Sequence, residues 1–403
     1  MHIFVFTEHF PNPFKPYLNT QFEQFLNDNH KLSIFAMSSY WDPLDPKITE
    51  LGLDRLIHYL PTTTSSLPAF FAGSAKALLR NPFMRVSAAL RLINPSIAFK
   101  RNLISFFRML QLPLSSPDLC LVHNLLTMCG LSFLPSLYPG VPVALYYHGG
   151  ELPGMPEVSS TNAEAAFDAA DVVFTNTESS KSQAISRGCP SQKIVTIPVG
   201  FNISEFRSLK NRQYFSQGML RLLSIGRLSE EKGLIYALKG LIQLKIQGIT
   251  QWQYRLVGNG PAEAELINFV KENGISHKVQ FLGVLSTKEV LSELEQADAL
   301  LLPSIPVGTC QETQACVVQE AMLMKTLVIT TNIGGVPESI APQMQRFSVP
   351  PQDPFAIAKC IKELMTLDQS QWKILGEACR DFAVSKYDIS RLNEKLFSYL
   401  FQR

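Results

Sequence analysis

The chain has 403 residues, of which 46% are hydrophobic and 17% charged, and its 36 basic residues nearly balance its 34 acidic ones. This length predicts two or three domains with sizeable cores, and the composition argues against disorder. A formal net charge of +2 argues against a dedicated nucleic-acid binder. The seven cysteines include no CxxC pair, so neither a disulfide framework nor a zinc ribbon is indicated, and reduced core thiols fit a cytoplasmic chain.

The amino terminus begins with an apolar run over residues 1–7, which is followed by Glu8 and is not preceded by a basic region. We interpret it as a buried first strand rather than a signal peptide. No run approaches the roughly 20 apolar residues that a membrane-spanning helix needs. We therefore expect a cytoplasmic protein that is at most peripheral on the cytoplasmic face of a membrane.

Short β-branched and aromatic runs alternate along the chain with longer stretches of helical period, which is the pattern of βαβ units around a parallel sheet. In the first half, strands are predicted at 3–7, 31–36, 119–123, 142–147, 172–175 and 194–198. In the second half, they are predicted at 220–225, 253–257, 279–282, 299–303, 326–330 and 346–349.

The two series of strands are separated by a polar, helix-poor break at 200–218, which is typical of an interdomain linker. We therefore predict an α/β protein of two doubly wound parallel-sheet domains, residues 1–199 and residues 200–386. Open α/β sheets bind ligands outside the carboxyl ends of their strands. Two such sheets that face each other would place both reactants in the cleft between them.

Residues 55–117 contain no Asp or Glu, but they contain eight basic residues interleaved with aromatic ones. Basic residues and exposed aromatic side chains on helices are attracted to anionic membranes, by about 1 kcal/mol per Lys or Arg near the surface. The alternative is that the aromatic residues are core and the cations only a solvated face. We favour membrane contact, because so long a stretch without acids is hard to obtain by chance.

The second half opens with a predicted strand that ends at Gly226, with Arg227 and Lys232 just beyond its carboxyl end. Gly226 lets a ligand approach the backbone. A guanidinium and an ammonium at this spacing can both reach one anionic group, for which a diphosphate is the natural candidate. Taken alone, the lysine also fits an ordinary solvated helix start.

A glycine-rich turn follows the next predicted strand, at Gly258 and Gly260. The third glycine of a G-x-G-x-x-G fingerprint is missing, because Pro261, Ala262 and Glu263 follow. A nicotinamide cofactor is therefore not expected. The turn either admits a nucleotide against bare backbone or is a plain tight turn.

The most specific pattern follows the predicted strand at 299–303 and leads into a helix predicted to begin near Gln314. Glu312 lies at the mouth of this helix, where free amides favour a phosphate. A carboxylate there can accept hydrogen bonds from the hydroxyls of a group that is attached to that phosphate. Glu320 lies in an apolar stretch of the helix, where a carboxylate needs a partner such as a ribose diol. A solvated face would explain one Glu, but the E-x7-E pair after a buried strand favours a site.

Together and in this order, these motifs resemble family-4 retaining glycosyltransferases of the group 1 type, which have the GT-B fold of two Rossmann-like domains. The match extends over about residues 190–390 and includes Gly-Gly-Val-Pro-Glu at 334–338. The resemblance implies that Arg227 and Lys232 bind the donor diphosphate. It also implies that Glu312 holds sugar hydroxyls and Glu320 the ribose. The donor-site residues implied are Gly226, Arg227, Lys232, Gly258, Gly260, Leu282, Gly283, Val284, Glu312, Thr313, Gln314 and Glu320, with Thr313 where the family commonly has Gly.

The N-terminal half resembles the family more loosely. His148 and Glu151 stand in a loop similar to the family's His-Gly-x-Asp, which places His148 near the reaction centre, although a His at a strand end is also often structural. The first loop, with Glu8 and His9, lacks the family's glycines, so the identity of the acceptor it lines is left open. The amphipathic helix at 387–403 resembles the family's last helix, which packs back on the first domain.

The resemblance implies transfer of a hexosyl unit from a nucleoside-diphosphate sugar to a hydroxyl, with retention, in glycan, polysaccharide or glycolipid biosynthesis. The basic segment of the first domain favours a lipid-linked glycan as the acceptor. Glu312, His148, Arg227 and Lys232 are the candidate catalytic residues, and neither a metal nor another cofactor is expected. The alternatives are a sugar-nucleotide epimerase or phosphorylase, and a catalytically silent partner subunit.

Overall fold

The computed structural model describes residues 1–12, 15–39, 46–60, 104–105, 108–149, 158–206, 214–215, 218–308 and 311–401. Of the basic residues predicted to meet a membrane, Arg55 and Arg108 fall in these ranges. The others, together with Glu151, lie outside the described residues. Membrane contact by the segment at 55–117 therefore stays a prediction.

The first half of the chain is built on a parallel sheet whose described strands have the order β3-β2-β1-β4-β5-β6-β7. The inner strands are buried along their whole length, because helices cover both faces of the sheet. The strands are β1 (His2–His9), β2 (Lys31–Ser38), β3 (Ile57–Tyr59), β4 (Leu119–His123), β5 (Val143–Tyr147), β6 (Val172–Thr175) and β7 (Ile194–Thr196).

Helices connect these strands as right-handed crossovers require. The described helices are α1 (Pro16–Asn27), α2 (Pro46–Glu50), α3 (Leu125–Cys129), α4 (Leu134–Leu137), α5 (Ser160–Asp168) and α6 (Glu178–Ser186). The start of α6 is fixed locally by a capping box, in which the Thr177 hydroxyl accepts from the Ser180 amide and the Ser180 hydroxyl accepts from the Thr177 amide.

The second half repeats the plan on a parallel sheet of order β10-β9-β8-β11-β12-β13. Its strands are β8 (Leu220–Ile225), β9 (Trp252–Val257), β10 (Val279–Phe281), β11 (Ala299–Leu302), β12 (Leu327–Thr331) and β13 (Ser348–Val349). Its helices are α7 (Leu234–Ile246), α8 (Glu263–Glu272), α9 (Thr287–Gln296), α10 (Cys316–Leu323), α11 (Val336–Ser339), α12 (Pro354–Met365) and α13 (Gln369–Tyr387).

A last helix, α14 (Ile389–Phe401), returns to the first half of the chain and packs against α1. Leu396 and Leu400 are buried in the first domain's core. The Phe397 ring lies 5.6 Å from Phe25 and 5.0 Å from His30, centroid to centroid. The amphipathic period of the segment thus places its apolar face on α1. The exact boundary between the domains at 199/200 stays a prediction.

The predicted fold class, two doubly wound parallel sheets, is confirmed, and every predicted strand is present. The prediction was wrong at 346–347, which belong to a 3-10 helix over Pro342–Phe347. It also missed β3, an edge strand in which His58 and Tyr59 are exposed. An edge strand with two exposed residues leaves no apolar run in the sequence, so nothing in the local pattern indicated it.

Candidate functional site

The second sheet presents a small pocket at the carboxyl end of its central strand β8. This pocket is lined by Gly226, Arg227 and Lys232 together with Val257 of β9 and Leu302 of β11. The strands on either side of β8 are β9 and β11. Loops from three parallel strands therefore meet at one edge of the sheet, where open α/β sheets hold ligands.

An ion pair joins the two most specific sequence motifs across this edge. The Nζ atom of Lys232 lies 2.6 Å from Oε2 of Glu312, and the Ser304 hydroxyl donates to the same oxygen at 3.1 Å. Burial by itself lowers the pKa of Lys232, but the Glu312 carboxylate outweighs burial and raises this pKa above its usual value. Lys232 is therefore a fully charged ammonium, held by a carboxylate.

Arg227 has a carboxylate partner of its own, which the sequence analysis missed. Its Nη2 lies 2.5 Å from Oε1 of Glu231, and the Ser229 hydroxyl donates to that oxygen at 2.6 Å. Burial opposes ionisation of Glu231, but these two hydrogen bonds hold its pKa below the usual value. Arg227 and Lys232 line the same pocket, so the structure places the two cations on one side of the sheet, at the carboxyl end of β8.

The turn after β9 needs glycine, because other backbone segments pack closely against it. Gly258 has a φ of 121°, and a Cβ added there would lie 1.9 Å from the carbonyl oxygen of Gly226. The amide of Gly258 donates to the carbonyl of Gly283 at 2.7 Å, and a Cβ on Gly260 would meet the Leu228 carbonyl at 2.4 Å. The turn is thus a tight junction of three loops.

The loop after β10 lies at the same edge of the sheet and is anchored by backbone bonds. The amide of Leu282 donates to the carbonyl of Leu256 at 2.8 Å. Gly283 is bonded to Gly258, and Val284 next to it is half exposed, at 50%. The predicted donor-site residues Leu282, Gly283 and Val284 therefore lie beside the pocket, and the apolar side chain of Val284 is open to solvent.

The helix predicted to begin near Gln314 is present and begins two residues later, at Cys316. The reason is tertiary. The side-chain amide of Gln314 accepts from the backbone N–H of Val199 at 2.7 Å and donates to its carbonyl at 3.0 Å. This pairing with the first half holds Gln314 outside the helix, and Ala315 has a non-helical ψ of 88°. Only the backbone of Gln314 is left to meet a ligand.

Glu320 lies in the second turn of α10 and is half buried. Its carboxylate has no hydrogen bond or ion pair to the other described residues. Burial raises the pKa of its carboxyl to about 7. Hydrogen bonds from a ligand would stabilise the charged form of this buried carboxylate. The structure thus presents Glu320 as an unpartnered acceptor on the same helix that follows Glu312.

Across from this sheet, His148 follows β5 and contacts the Glu312 loop. The Thr313 hydroxyl donates to the backbone carbonyl of His148 at 2.7 Å, and a Cβ on Gly149 would lie 2.1 Å from the Thr313 methyl. Thr313, which stands where the family commonly has Gly, is therefore a contact between the two halves. His148 is thereby brought next to Glu312. Its imidazole is hydrogen-bonded to His123, a residue that the sequence analysis did not select.

Glu8 and His9, at the end of β1, pair mainly with each other. Oε1 of Glu8 lies 3.4 Å from Nε2 of His9, and Nδ1 of His9 lies 2.6 Å from the Ser38 hydroxyl. The hydrogen bond from His9 lowers the pKa of Glu8. Lys15, also missed, lies close to Glu8, and burial lowers the pKa of its ammonium. The first loop therefore carries a charged cluster at the carboxyl edge of the first sheet.

A second contact between the halves uses Glu338, the last residue of the Gly-Gly-Val-Pro-Glu motif. Its two carboxylate oxygens accept from the backbone amides of Glu178 at 2.8 Å and Ser179 at 2.9 Å, the first two residues of α6. A carboxylate at a helix start satisfies free amides and complements the helix dipole. Glu338 thus acts as an N-terminal cap on a helix of the other domain.

In the described ranges, no group of three or more His, Cys, Asp or Glu side chains is placed to hold a metal ion. No helix in those ranges is long and apolar enough to cross a membrane.

Similarity to known proteins agrees with this geometry. Residues 207–381 match the family model described as glycosyl transferases group 1. WcaL of Salmonella typhimurium, a glycosyltransferase assigned to colanic acid biosynthesis, is 28% identical over 64% of this chain and 64% of its own length. The amylovoran biosynthesis glycosyltransferase AmsK of Erwinia amylovora is 32% identical over 45% of this chain and 44% of its own. The chain thus matches less than two thirds of the length of these relatives.

Solved structures resemble the whole chain. HepE of Anabaena, crystallised in complex with UDP-glucose, has a TM-score of 0.70 at 16% identity, with 100% of both chains covered. TarM of S. aureus has a TM-score of 0.70 at 12% identity and 99% coverage of both. These likenesses confirm the GT-B fold. In sequence, the similarity to the group 1 glycosyl transferases lies in residues 207–381.

Proposed function

We propose that this protein transfers a hexosyl unit from a nucleoside-diphosphate sugar to a hydroxyl group, with retention of anomeric configuration, in polysaccharide biosynthesis. The observation that carries the proposal is the convergence of Arg227, Lys232 and Glu312 at the carboxyl end of β8. Two kinds of relatives support it. WcaL and AmsK are named for the synthesis of bacterial polysaccharides, and HepE has been crystallised with UDP and with UDP-glucose.

The donor diphosphate would become the counter-ion of the two cations. An ammonium has three N–H groups, so Lys232 can keep its bond to Glu312 while it turns another N–H to a phosphate oxygen. Arg227 can share its guanidinium between Glu231 and the diphosphate for the same reason. As the sugar–phosphate bond breaks, negative charge grows on the leaving diphosphate, and these preorganised cations stabilise it.

The two carboxylates of the E-x7-E pair have different roles in this proposal. Glu312, bonded to Lys232, would accept from hydroxyls of the sugar next to the diphosphate. Glu320, unpartnered and with a pKa raised to about 7 by burial, would accept from the ribose hydroxyls. Neither is assigned as an acid or a nucleophile, since both are occupied in holding the donor. Neither a metal nor a cofactor is part of the proposal.

The first domain would bind the acceptor and close over the donor site. The backbone carbonyl of His148 accepts from Thr313, the residue after Glu312, so His148 would lie near the sugar end of the donor. Contacts of Gln314 and Glu338 with the first domain would hold the two halves together over the donor and exclude water, which limits hydrolysis.

Two measurements test the proposal. Nucleoside-diphosphate sugars are first screened for a rise in melting temperature, because a ligand that binds the native state stabilises it. Nucleotide release from the best donor is then followed with and without glycan acceptors. Lys232→Ala and Glu312→Ala are each expected to lower transfer by roughly a hundredfold or more, given the size of electrostatic effects on leaving groups.

The matched control is Lys325→Ala. Lys325 forms an equally short ion pair, 2.6 Å to Glu377, but it precedes β12 at the opposite edge of the sheet. Its loss is expected to lower the melting temperature and to leave transfer intact. Near-normal transfer by both Lys232→Ala and Glu312→Ala would contradict the assignment of the site.

The same assays separate the alternatives. An epimerase would convert the donor sugar without releasing nucleotide or needing an acceptor. A phosphorylase would transfer the sugar to inorganic phosphate. A silent partner subunit would show the thermal shift without any turnover.

A further inference from the structure

His123, the last residue of β4, and His148, the residue after β5, form a rigid pair. These strands are neighbours, with His123 in register with Tyr146, and Nδ1 of His123 lies 3.1 Å from Nε2 of His148. The Tyr146 ring is parallel to both imidazoles, 4.8 Å and 6° from His148 and 5.7 Å and 8° from His123. Its hydroxyl donates to the carbonyls of Ile197 and Pro198. The geometry of the pair is therefore fixed by the strands and by Tyr146.

Both rings are neutral. Burial, with a contribution from the charge of Lys15, lowers the pKa of His123 to about 3. Burial, with smaller contributions from His123 and Lys15, lowers the pKa of His148 well below its usual value. A neutral imidazole carries one N–H and one lone pair, so the contact between the rings contains a single proton. The tautomer of His148 is consequently tied to that of His123.

The far nitrogen of His123 indicates which ring donates. This Nε2 is buried and has no hydrogen-bond partner among the described residues. If His148 donated, His123 would carry its proton on Nε2, as a buried N–H without an acceptor, which proteins avoid. Asn393 of α14 lines the same small cavity as His123, and its amide nitrogen is also buried and unpartnered within the described part of the chain. Since that nitrogen is a donor, the cavity favours a lone pair on His123.

We propose that His123 is a positioning residue: it donates its Nδ1–H to Nε2 of His148 and holds His148 as the tautomer protonated on Nδ1. His148 then carries its hydrogen-bond donor on Nδ1, the ring nitrogen that does not contact His123, while its backbone carbonyl accepts from the Thr313 hydroxyl. Under the proposed function, on which this role rests, the Nδ1–H group of His148 donates a hydrogen bond to an oxygen of the sugar in the nucleotide-sugar substrate. His148 would therefore orient the sugar and would not accept a proton from the attacking hydroxyl.

The tautomer is measured directly on the full chain labelled with ¹⁵N-histidine, by long-range ¹H–¹⁵N correlation, with signals assigned through a His148→Asn variant. We expect His148 protonated on Nδ1 and unprotonated on Nε2, with His123 also protonated on Nδ1. A His148 protonated on Nε2 would overturn the proposal. This measurement needs no substrate, so its result is independent of whether the protein transfers a sugar.

Two variants then test the effect on the reaction. His123→Leu removes the donor, whereas His123→Asn keeps an N–H close to the position of Nδ1. His123→Leu is expected to lower kcat about tenfold, the effect of one lost neutral hydrogen bond, with a smaller change in KM for the donor. His123→Asn is expected to restore most of kcat and the His148 tautomer.

Equal rates for wild type and His123→Leu, or equal losses in both variants, would show that His123 only packs. If His123→Leu does not fold, the tautomer of His148 measured in the wild-type protein still tests the proposal. Absence of transfer in the wild type, with the expected tautomer observed, would reject the proposed function and leave the positioning of His148 standing.

Discussion

The contact between Glu338 and α6 predicts a measurable change in how the two domains close. Glu338 accepts from two backbone amides of the other domain at 2.8 and 2.9 Å, while Lys386 donates to its backbone carbonyl from its own domain. The bond from Lys386 thus fixes the backbone of the residue that carries the carboxylate. Replacement by Ala removes both bonds across the interface without touching the pocket at β8.

The magnitude follows from the geometry of a helix cap. Loss of a side-chain cap costs about 0.5–2 kcal/mol, and loss of a negative charge at a helix start costs about 0.3–1 kcal/mol more. A total near 1.4 kcal/mol corresponds to about a tenfold change in an equilibrium constant. We therefore expect Glu338→Ala to lower the ratio of closed to open molecules about tenfold and to weaken donor binding by up to that factor.

Small-angle scattering and donor titration check this expectation. Glu338→Ala should increase the radius of gyration of the free protein, and a saturating donor should restore it. Glu178→Gln is the matched control, because it removes a charge from the same helix start. Among the residues that the structure describes, the Glu178 carboxylate bonds Lys181 and Thr196 of its own domain. If Glu338→Ala scatters and binds donor like the wild type, the cap does not contribute to closure.

Three further outcomes are expected. If a ribose donates to Glu320, whose pKa burial raises to about 7, nucleotide binding needs the ionised form. Affinity should then rise with pH through about 7 with release of a proton, seen by calorimetry in two buffers, and Glu320→Gln should abolish the dependence. Gly258→Ala, with its Cβ 1.9 Å from a carbonyl oxygen, should lower stability by more than about 2 kcal/mol, measured by urea unfolding. Arg227→Lys should keep the charge but lose the planar fork, and weaken diphosphate binding more than an exposed Arg391→Lys does.

The amino-acid sequence by itself determined the fold class and the donor-side motifs. Strands buried on both faces appear in the sequence as short apolar runs separated by helical periods, so β4, β6 and β8 were predicted with the bounds that the structure has. Arg227 and Lys232 were selected because they directly follow such a strand. The edge strand β3 escaped because its exposed residues give no such run.

The tertiary structure alone decided which side chains meet. Lys232 and Glu312 are 80 residues apart, Gln314 and Val199 are 115 apart, and Glu338 reaches a helix start 160 residues away. A local pattern of apolar and polar residues specifies the period of an element, but it carries no information about the partner that a loop side chain finds on another strand. For the same reason the start of α10 was predicted only to within two residues. Its exact position depends on a bond from Gln314 to the other domain, and that bond exists only once both sheets have formed.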